Sequence, residues 1–201
     1  MERYDSKAAL VVVDVQNDFA DPKGSLFVSD GQQIIPLVNS EVQRASQAGA
    51  FVVYSQDWHP ESTPHFAKDG GIWPVHCVAG TWGAEFHPDL EVVGPSVKKG
   101  SNGEDGYSGF TMRDPTTGET KPTELEGLLR ERGVENVVIV GLATDYCVSA
   151  TALDARRLGF ATEVLQDAIA AVNLQPDDEA KAKAAMEAAG CVMGYCFGTL
   201  P

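Results

Sequence analysis

The sequence predicts an α/β protein, one domain over residues 1–201, built on a doubly wound parallel sheet with helices on both faces. Three observations carry this. Apolar, β-branched runs alternate along the chain with segments of helical periodicity, the order that produces a parallel sheet. The first run, residues 8–13, is apolar at every position rather than every second one, as in a strand covered on both faces. No repeat, low-complexity tract or linker divides the 201 residues, a length at which one core buries roughly 70% of the unfolded chain's surface.

Each element has its own signal. Residues 8–13, Ala-Ala-Leu-Val-Val-Val, form the first buried strand. Residues 32–49 read as a helix whose firm start is near Ile35, because Pro36 fits only in a first turn; Gly49 closes it. Residues 51–55 are the second buried strand. Residues 56–95, rich in Pro, Gly, His and Trp, read as a long irregular excursion that carries function. A short strand precedes Lys98, a glycine-rich loop follows at 100–109, and residues 123–132 form a helix with Gly133 beyond its end. The clearest strand is 136–141. Asp145 is placed to cap a helix running to Leu158 and closed by Gly159. Residues 161–166 are a strand, 177–189 a helix and 191–193 a short last strand, and the tail after Gly194 shows no pattern.

Lys and Arg number 15 against 29 Asp and Glu, a net charge of −14. That balance argues against nucleic acid or an anionic membrane as partner, since phosphate binding needs clustered cations. It suits an enzyme acting on a small neutral molecule and leaves a homo-oligomer open. Residues 1–5 carry both charge signs, and the apolar run behind them is broken at Asp14, too short for a secretory signal or a span of about 20 apolar residues. The expected compartment is the cytoplasm. The four cysteines, Cys77, Cys147, Cys191 and Cys196, contain no CxxC pair and are expected as free thiols, although their even number leaves a pair such as Cys191–Cys196 open.

In a doubly wound sheet, ligands bind beyond the carboxyl ends of the strands, where strand order reverses. Asp14 follows the first strand, Asp57 and His59 the second, Lys99 the third and Cys147 the fourth, so the reactive residues fall on one edge. Cys147 enters the first turn of a helix, where unpaired N–H groups and the helix dipole favour thiolate and can hold an oxyanion; the alternative is a small core hydrophobe. Asp14 ends an apolar strand, where a carboxylate is costly unless paired or used. Three of the four histidines, His59, His65 and His76, lie in one loop with Asp57. Asp57 and His59, two apart on an extended segment, point the same way. Imidazole with carboxylate suits zinc, iron or manganese. There is no GxSxG, GxxxxGK[ST], GxGxxG or HExxH motif. The stretch 100–109 lacks the context of a phosphate cradle and reads equally as a mobile active-site loop or a surface loop.

Together, Val-Asp-Val-Gln-Asn-Asp-Phe at 13–19, Asp-Trp-His-Pro at 57–60, Trp-Pro-Val-His-Cys at 73–77, Lys-Gly at 99–100, Tyr-Ser-Gly-Phe at 107–110 and Ala-Thr-Asp-Tyr-Cys-Val at 143–148 resemble the isochorismatase-like cysteine hydrolases. Asp-x-His with Trp-Pro-x-His-Cys narrows the resemblance to the nicotinamidases, also known as pyrazinamidases. It implies hydrolysis of nicotinamide to nicotinate and ammonia through a cysteine thioester, with pyrazinamide also cleaved. It makes Cys147 the nucleophile, Asp14 the proton acceptor and donor, and Lys99, which directly precedes glycine, the supporting cation. Asp57, His59 and His76 become ligands of one divalent metal ion, zinc first and iron or manganese next, and His65 matches a ligand found in only some members. Phe19, Trp73, Tyr107, Leu142 and Tyr146 become pocket residues; Tyr146 stands where some relatives have histidine. The family's cis peptide would join Leu142 to Ala143, and the oxyanion would rest on the N–H groups of Ala143 and Cys147. The rival readings are a metal-independent ureidoacrylate or N-carbamoylsarcosine type amidohydrolase, and a non-catalytic binding protein on the same fold.

Overall fold

The first strand, β1 (Ala8–Val13), is completely buried, and both its neighbours run parallel to it. A computed structural model describes residues 3–196; the carboxyl tail after Cys196 lies outside the described residues. The main sheet has six strands in the order β3-β2-β1-β6-β7-β8, all parallel, formed by β1, β2 (Phe51–Asp57), β3 (Ser96–Lys99), β6 (Asn136–Leu142), β7 (Ala161–Ala170) and β8 (Val192–Gly194). The order reverses between β1 and β6, which places the ligand crevice at their carboxyl ends.

Because side chains alternate along a strand, each strand feeds two cores. Leu10 and Val12 of β1, with Val138 and Val140 of β6, pack under helix α2 (Ile35–Gln47), which supplies Val38, Val42 and Ala45. Ala9, Val11 and Val13, with Val137 and Ile139, pack on the other face. There Leu125 and Leu129 of α3 (Leu125–Glu131), Ala152 and Ala155 of α4 (Ser149–Arg157) and Met186 of α5 (Asp178–Ala188) cover them. The expected layering, helices on both faces of a parallel sheet, is therefore present. At Gly141, the penultimate residue of β6, φ is 114° and a Cβ would collide with the Val13 carbonyl, so only glycine lets β1 and β6 meet beside the crevice.

The sequence reading differs from the structure in definable places. A short helix α1 (Asn17–Ala20) follows β1, and a hairpin of β4 (Thr111–Arg113) and β5 (Thr120–Pro122) lies between the glycine-rich loop and α3. Strand β2 continues two residues beyond Ser55, β3 includes both lysines, and β7 runs to Ala170 rather than Gln166. Asp145 does not cap its own helix. Its carboxylate accepts hydrogen bonds from the Val172 and Asn173 N–H groups at 2.9 and 2.8 Å, tying the turn after β6 to the segment after β7. That turn, Thr144–Val148, is a π-helical turn leading into α4. All four cysteines are free thiols, as expected. Among the described residues no helix is long and apolar enough to cross a membrane.

Candidate active site

Asp14 leaves β1 with φ 48°, a left-handed conformation that Asp tolerates better than most residues, and it is completely buried. Its Oδ1 accepts a hydrogen bond from Ser55 Oγ at 2.6 Å, and its Oδ2 lies 2.7 Å from Lys99 Nζ. Lys99, also completely buried, donates as well to Asp57 Oδ1 and to the Gly106 carbonyl, and its Nζ stands 3.6 Å from Cys147 Sγ. Alternation along β3 sends Lys98 the other way, where its ammonium sits 3.6 Å from the Trp58 ring centroid. Cys147, in the π-helical turn, is buried, and its Sγ lies within 4.8 Å of a carboxylate oxygen of each of Asp14 and Asp57. The Leu142–Ala143 peptide just before the turn is cis.

Two carboxylates thus face one ammonium in a dry site, and the charges follow from that. Burial raises the Asp14 carboxyl above the usual range; Lys99 and the Ser55 hydrogen bond pull it down, and Asp57 pushes it further up. Burial also disfavours the Asp57 anion, but Lys99 and the neighbouring His59 and His76 imidazoles outweigh it and hold that carboxyl well below its ordinary value. Burial works against the Lys99 ammonium, yet Asp14 and Asp57 keep it charged, with its pKa well above normal. Burial pushes the Cys147 thiol well up; Lys99 lowers it, and Asp14 and Asp57 raise it again. The support expected from Lys99 is present, and burial with the two carboxylates opposes it. Asp14, whose carboxyl is raised by the same burial, stands where it can take the thiol proton.

On the far side of Asp57, ring nitrogens of His59, His65 and His76 come within 4.8 Å of one another. Asp57 Oδ2 is 3.6 Å from His59 Nε2 and 3.7 Å from His76 Nε2, and all four side chains are buried. His76 Nδ1 donates to the Pro74 carbonyl at 2.7 Å, which leaves its Nε2 lone pair for the cluster. Neither ring nitrogen of His59 has a hydrogen-bond partner among the described residues. An unpaired buried imidazole is costly, and ligation relieves it. One carboxylate with three imidazoles is a donor set for zinc, iron or manganese, and a cation there would offset the surplus negative charge of Asp14 and Asp57. These residues fit a divalent ion. Gly100 is bound up with this fit: its φ is 79°, and a Cβ there would stand 2.6 Å from Cε1 and Nδ1 of His59. The Lys-Gly pair therefore serves both halves of the site.

The five residues expected to form the pocket, Phe19, Trp73, Tyr107, Leu142 and Tyr146, all line one cavity, together with Cys147 and Ala143 and with Asp57, His65 and His76. The cavity is small, about 400 Å³ even with the open space of its mouth counted, which suits a single-ring molecule. Trp73 Nε1 donates to the Tyr107 hydroxyl at 2.9 Å and the indole meets Tyr146 edge-on at 4.8 Å, so the aromatic rim is a braced unit. Sequence reasoning missed Leu26, Val172 and Gly106, which also line the cavity. Gly106 brings the 100–109 loop into the site rather than leaving it on the surface. Ser55 was missed too, although its place two residues before Asp57 on one strand put both on the same face. No local signal marked Asp105, whose Oδ1 lies 2.7 Å from His65 Nδ1.

The isochorismatase-domain family profile matches residues 8–194. The nicotinamidase of Escherichia coli K12 is 36% identical over 203 residues, covering 92% of this chain and 93% of that protein. A crystal structure of the pyrazinamidase of Pyrococcus horikoshii in complex with zinc is 40% identical, with a TM-score of 0.84 over 94% of this chain and 99% of that one. A crystal structure of PnC1 from L. infantum in complex with nicotinate is 35% identical, with a TM-score of 0.88 over 96% of both chains. The chain belongs to the isochorismatase-domain family.

Proposed function

We propose that this chain is a nicotinamidase, hydrolysing nicotinamide to nicotinate and ammonia and accepting pyrazinamide. One observation carries the reading: a single aromatic-walled pocket is lined by the Cys147 thiol, which stands beside the buried Lys99–Asp14 pair, and by Asp57, His65 and His76 of a buried cluster of one Asp and three His. The relatives named nicotinamidase and pyrazinamidase, and the related structures holding zinc and nicotinate, support it. The buried cluster of Asp57 with three histidines tells against the metal-independent amidohydrolase reading, and the thiol lining the pocket against a mere binding protein.

Asp14 takes the Cys147 proton as Sγ adds to the carboxamide carbon, so no free thiolate has to persist beside two anions. The resulting oxyanion is held by the N–H groups of Ala143 and Cys147. Asp14 then passes the proton to the amide nitrogen, the C–N bond breaks, and ammonia leaves a thioester on Cys147. Water, deprotonated by Asp14, adds to the thioester and releases nicotinate with the thiol restored. Lys99 keeps Asp14 oriented and offsets negative charge as the sulfur gains it. Phe19, Trp73, Tyr107, Leu142 and Tyr146 exclude water and hold the ring. Asp57, His59, His76 and His65 would bind one divalent ion, zinc before iron or manganese, which supplies an anchor for the pyridine nitrogen. The free thiols and the acidic surface suit the cytoplasm.

The test is ammonia release from nicotinamide, pyrazinamide and benzamide by metal-loaded and chelator-treated protein. Benzamide keeps the shape and scissile bond but lacks the ring nitrogen, and should be at least about 100-fold poorer. Chelation should narrow that gap by lowering the nicotinamide rate. Equal rates on the two amides by loaded protein would refute the anchoring role, and no release from nicotinamide would refute the activity.

A further inference from the structure

We infer that Asp105 is a positioning residue of the metal site: through its hydrogen bond to His65 Nδ1 it holds His65 as a fourth protein ligand beside Asp57, His59 and His76. This rests on the metal reading above and adds a residue to it. The three histidines have three different supports. His76 Nδ1 is held by the neutral Pro74 carbonyl, His59 by no hydrogen bond, and His65 Nδ1 by the Asp105 carboxylate at 2.7 Å. With Nδ1 donating to Asp105, the His65 lone pair lies on Nε2. The ring stacks on His59 at a centroid distance of 4.8 Å and lies 5.5 Å from His76, and a ring nitrogen of His65 lies within 4.8 Å of one of each. An anionic acceptor fixes the imidazole tautomer and strengthens it as a ligand.

Asp105 is itself a firm support. It comes from the loop after β3, whereas His65 comes from the loop after β2. Its backbone exchanges two hydrogen bonds with Arg113, at 2.7 and 3.0 Å. The same loop is pinned by Thr63 Oγ1 donating to the Gly103 carbonyl at 2.9 Å and by Lys99 donating to the Gly106 carbonyl. The Asp105–His65 bond therefore joins the segment that carries the ammonium to the segment that carries the metal ligands. Both partners are largely buried, with side-chain exposures of 12% and 4%, so water competes little for the bond.

The experiment titrates zinc into chelator-stripped full-length protein in competition with a chromogenic chelator. Asp105→Asn should weaken zinc binding roughly 10–100-fold, the usual cost of losing such a support. In a His65→Asn background the same substitution should change zinc affinity by less than about twofold, because the bond it removes is already gone. A loss below about threefold in the single variant, or an equal loss in the His65→Asn background, would overturn the inference while leaving the metal reading intact. If the wild type takes up no zinc, both readings fail together. Should Asp105→Asn not fold, nitrogen-15 spectra of the wild type loaded with cadmium-113 decide the point. The expected pattern is a protonated Nδ1 and a cadmium-coupled Nε2 at His65; a protonated Nε2 would overturn it.

Discussion

Lys99→Met tests the electrostatics of the site directly. The side chain is completely buried and its ammonium serves Asp14, Asp57, the Gly106 carbonyl and the Cys147 sulfur. Methionine keeps most of the volume and removes the charge, so the loss is electrostatic rather than a cavity. Removing one partner of a buried ion pair typically costs about 3–5 kcal/mol. For a chain of this length each kcal/mol moves the thermal midpoint by about 2–4 °C, so the metal-free variant should melt about 6–20 °C below the metal-free wild type near pH 8. The pH dependence has a definite sign. In the variant the Asp14 carboxyl, already raised by burial, loses its counter-ion and rises further. Its folded pKa then exceeds the unfolded value of about 3.9, so the folded state binds more protons across that window and stability falls as pH rises through it. The deficit should therefore be smallest near pH 5 and largest near pH 8, as read by calorimetry on chelator-treated samples. A midpoint within about 2 °C of wild type at pH 8, or a deficit that grows on acidification, would show that the two carboxylates do not depend on Lys99.

Cys147→Ala should abolish ammonia release while nicotinamide still raises the thermal midpoint of the zinc-loaded protein; activity within about tenfold of wild type would remove Cys147 from the chemistry. Asp14→Asn should slow turnover by about 10²–10⁴, and the Asp14→Asn, Lys99→Met double variant should be little worse than the worse single in ammonia release, since the two act as one unit. Gly100→Ala forces a side chain into a left-handed position against the His59 ring. It should cost about 1–3 kcal/mol by denaturant titration and weaken zinc uptake in the same protein, whereas zinc affinity equal to wild type would separate the Lys-Gly pair from the metal site.

Much of this site was legible along the chain. A carboxylate at the end of Val11-Val12-Val13 and a lysine ending a short strand stand out because their desolvation is costly. With a cysteine just past the clearest strand, topology sends all three to one edge of a parallel sheet. Three histidines with an aspartate in one loop announce metal by residue type alone. The family motifs then assigned roles that spacing leaves open, the choice of Lys99 over Lys98 among them. Other features carried no local signal. The hairpin β4–β5 is short and mostly polar, and α1 has four residues, so neither has a period to detect. Asp145 sits where a cap belongs, yet the loop after β7 offers it two N–H groups, and that long-range option wins.

What the sequence determined by itself was the layering, the edge on which the chemistry gathers and the residue types that perform it. These depend on burial patterns and strand ends, which are local. Only the tertiary structure decided which charges share the site and what supports its histidines. The direction of the Cys147 shift depends on how many charges of each sign share one dry volume, and Asp14, Asp57 and Lys99 reach it from three different strands. Likewise Asp105 meets His65 across 40 residues because parallel strands β2 and β3 lie side by side and place their following loops together. A pairwise distance of that kind is set by the packing of the whole sheet, not by any segment of the chain.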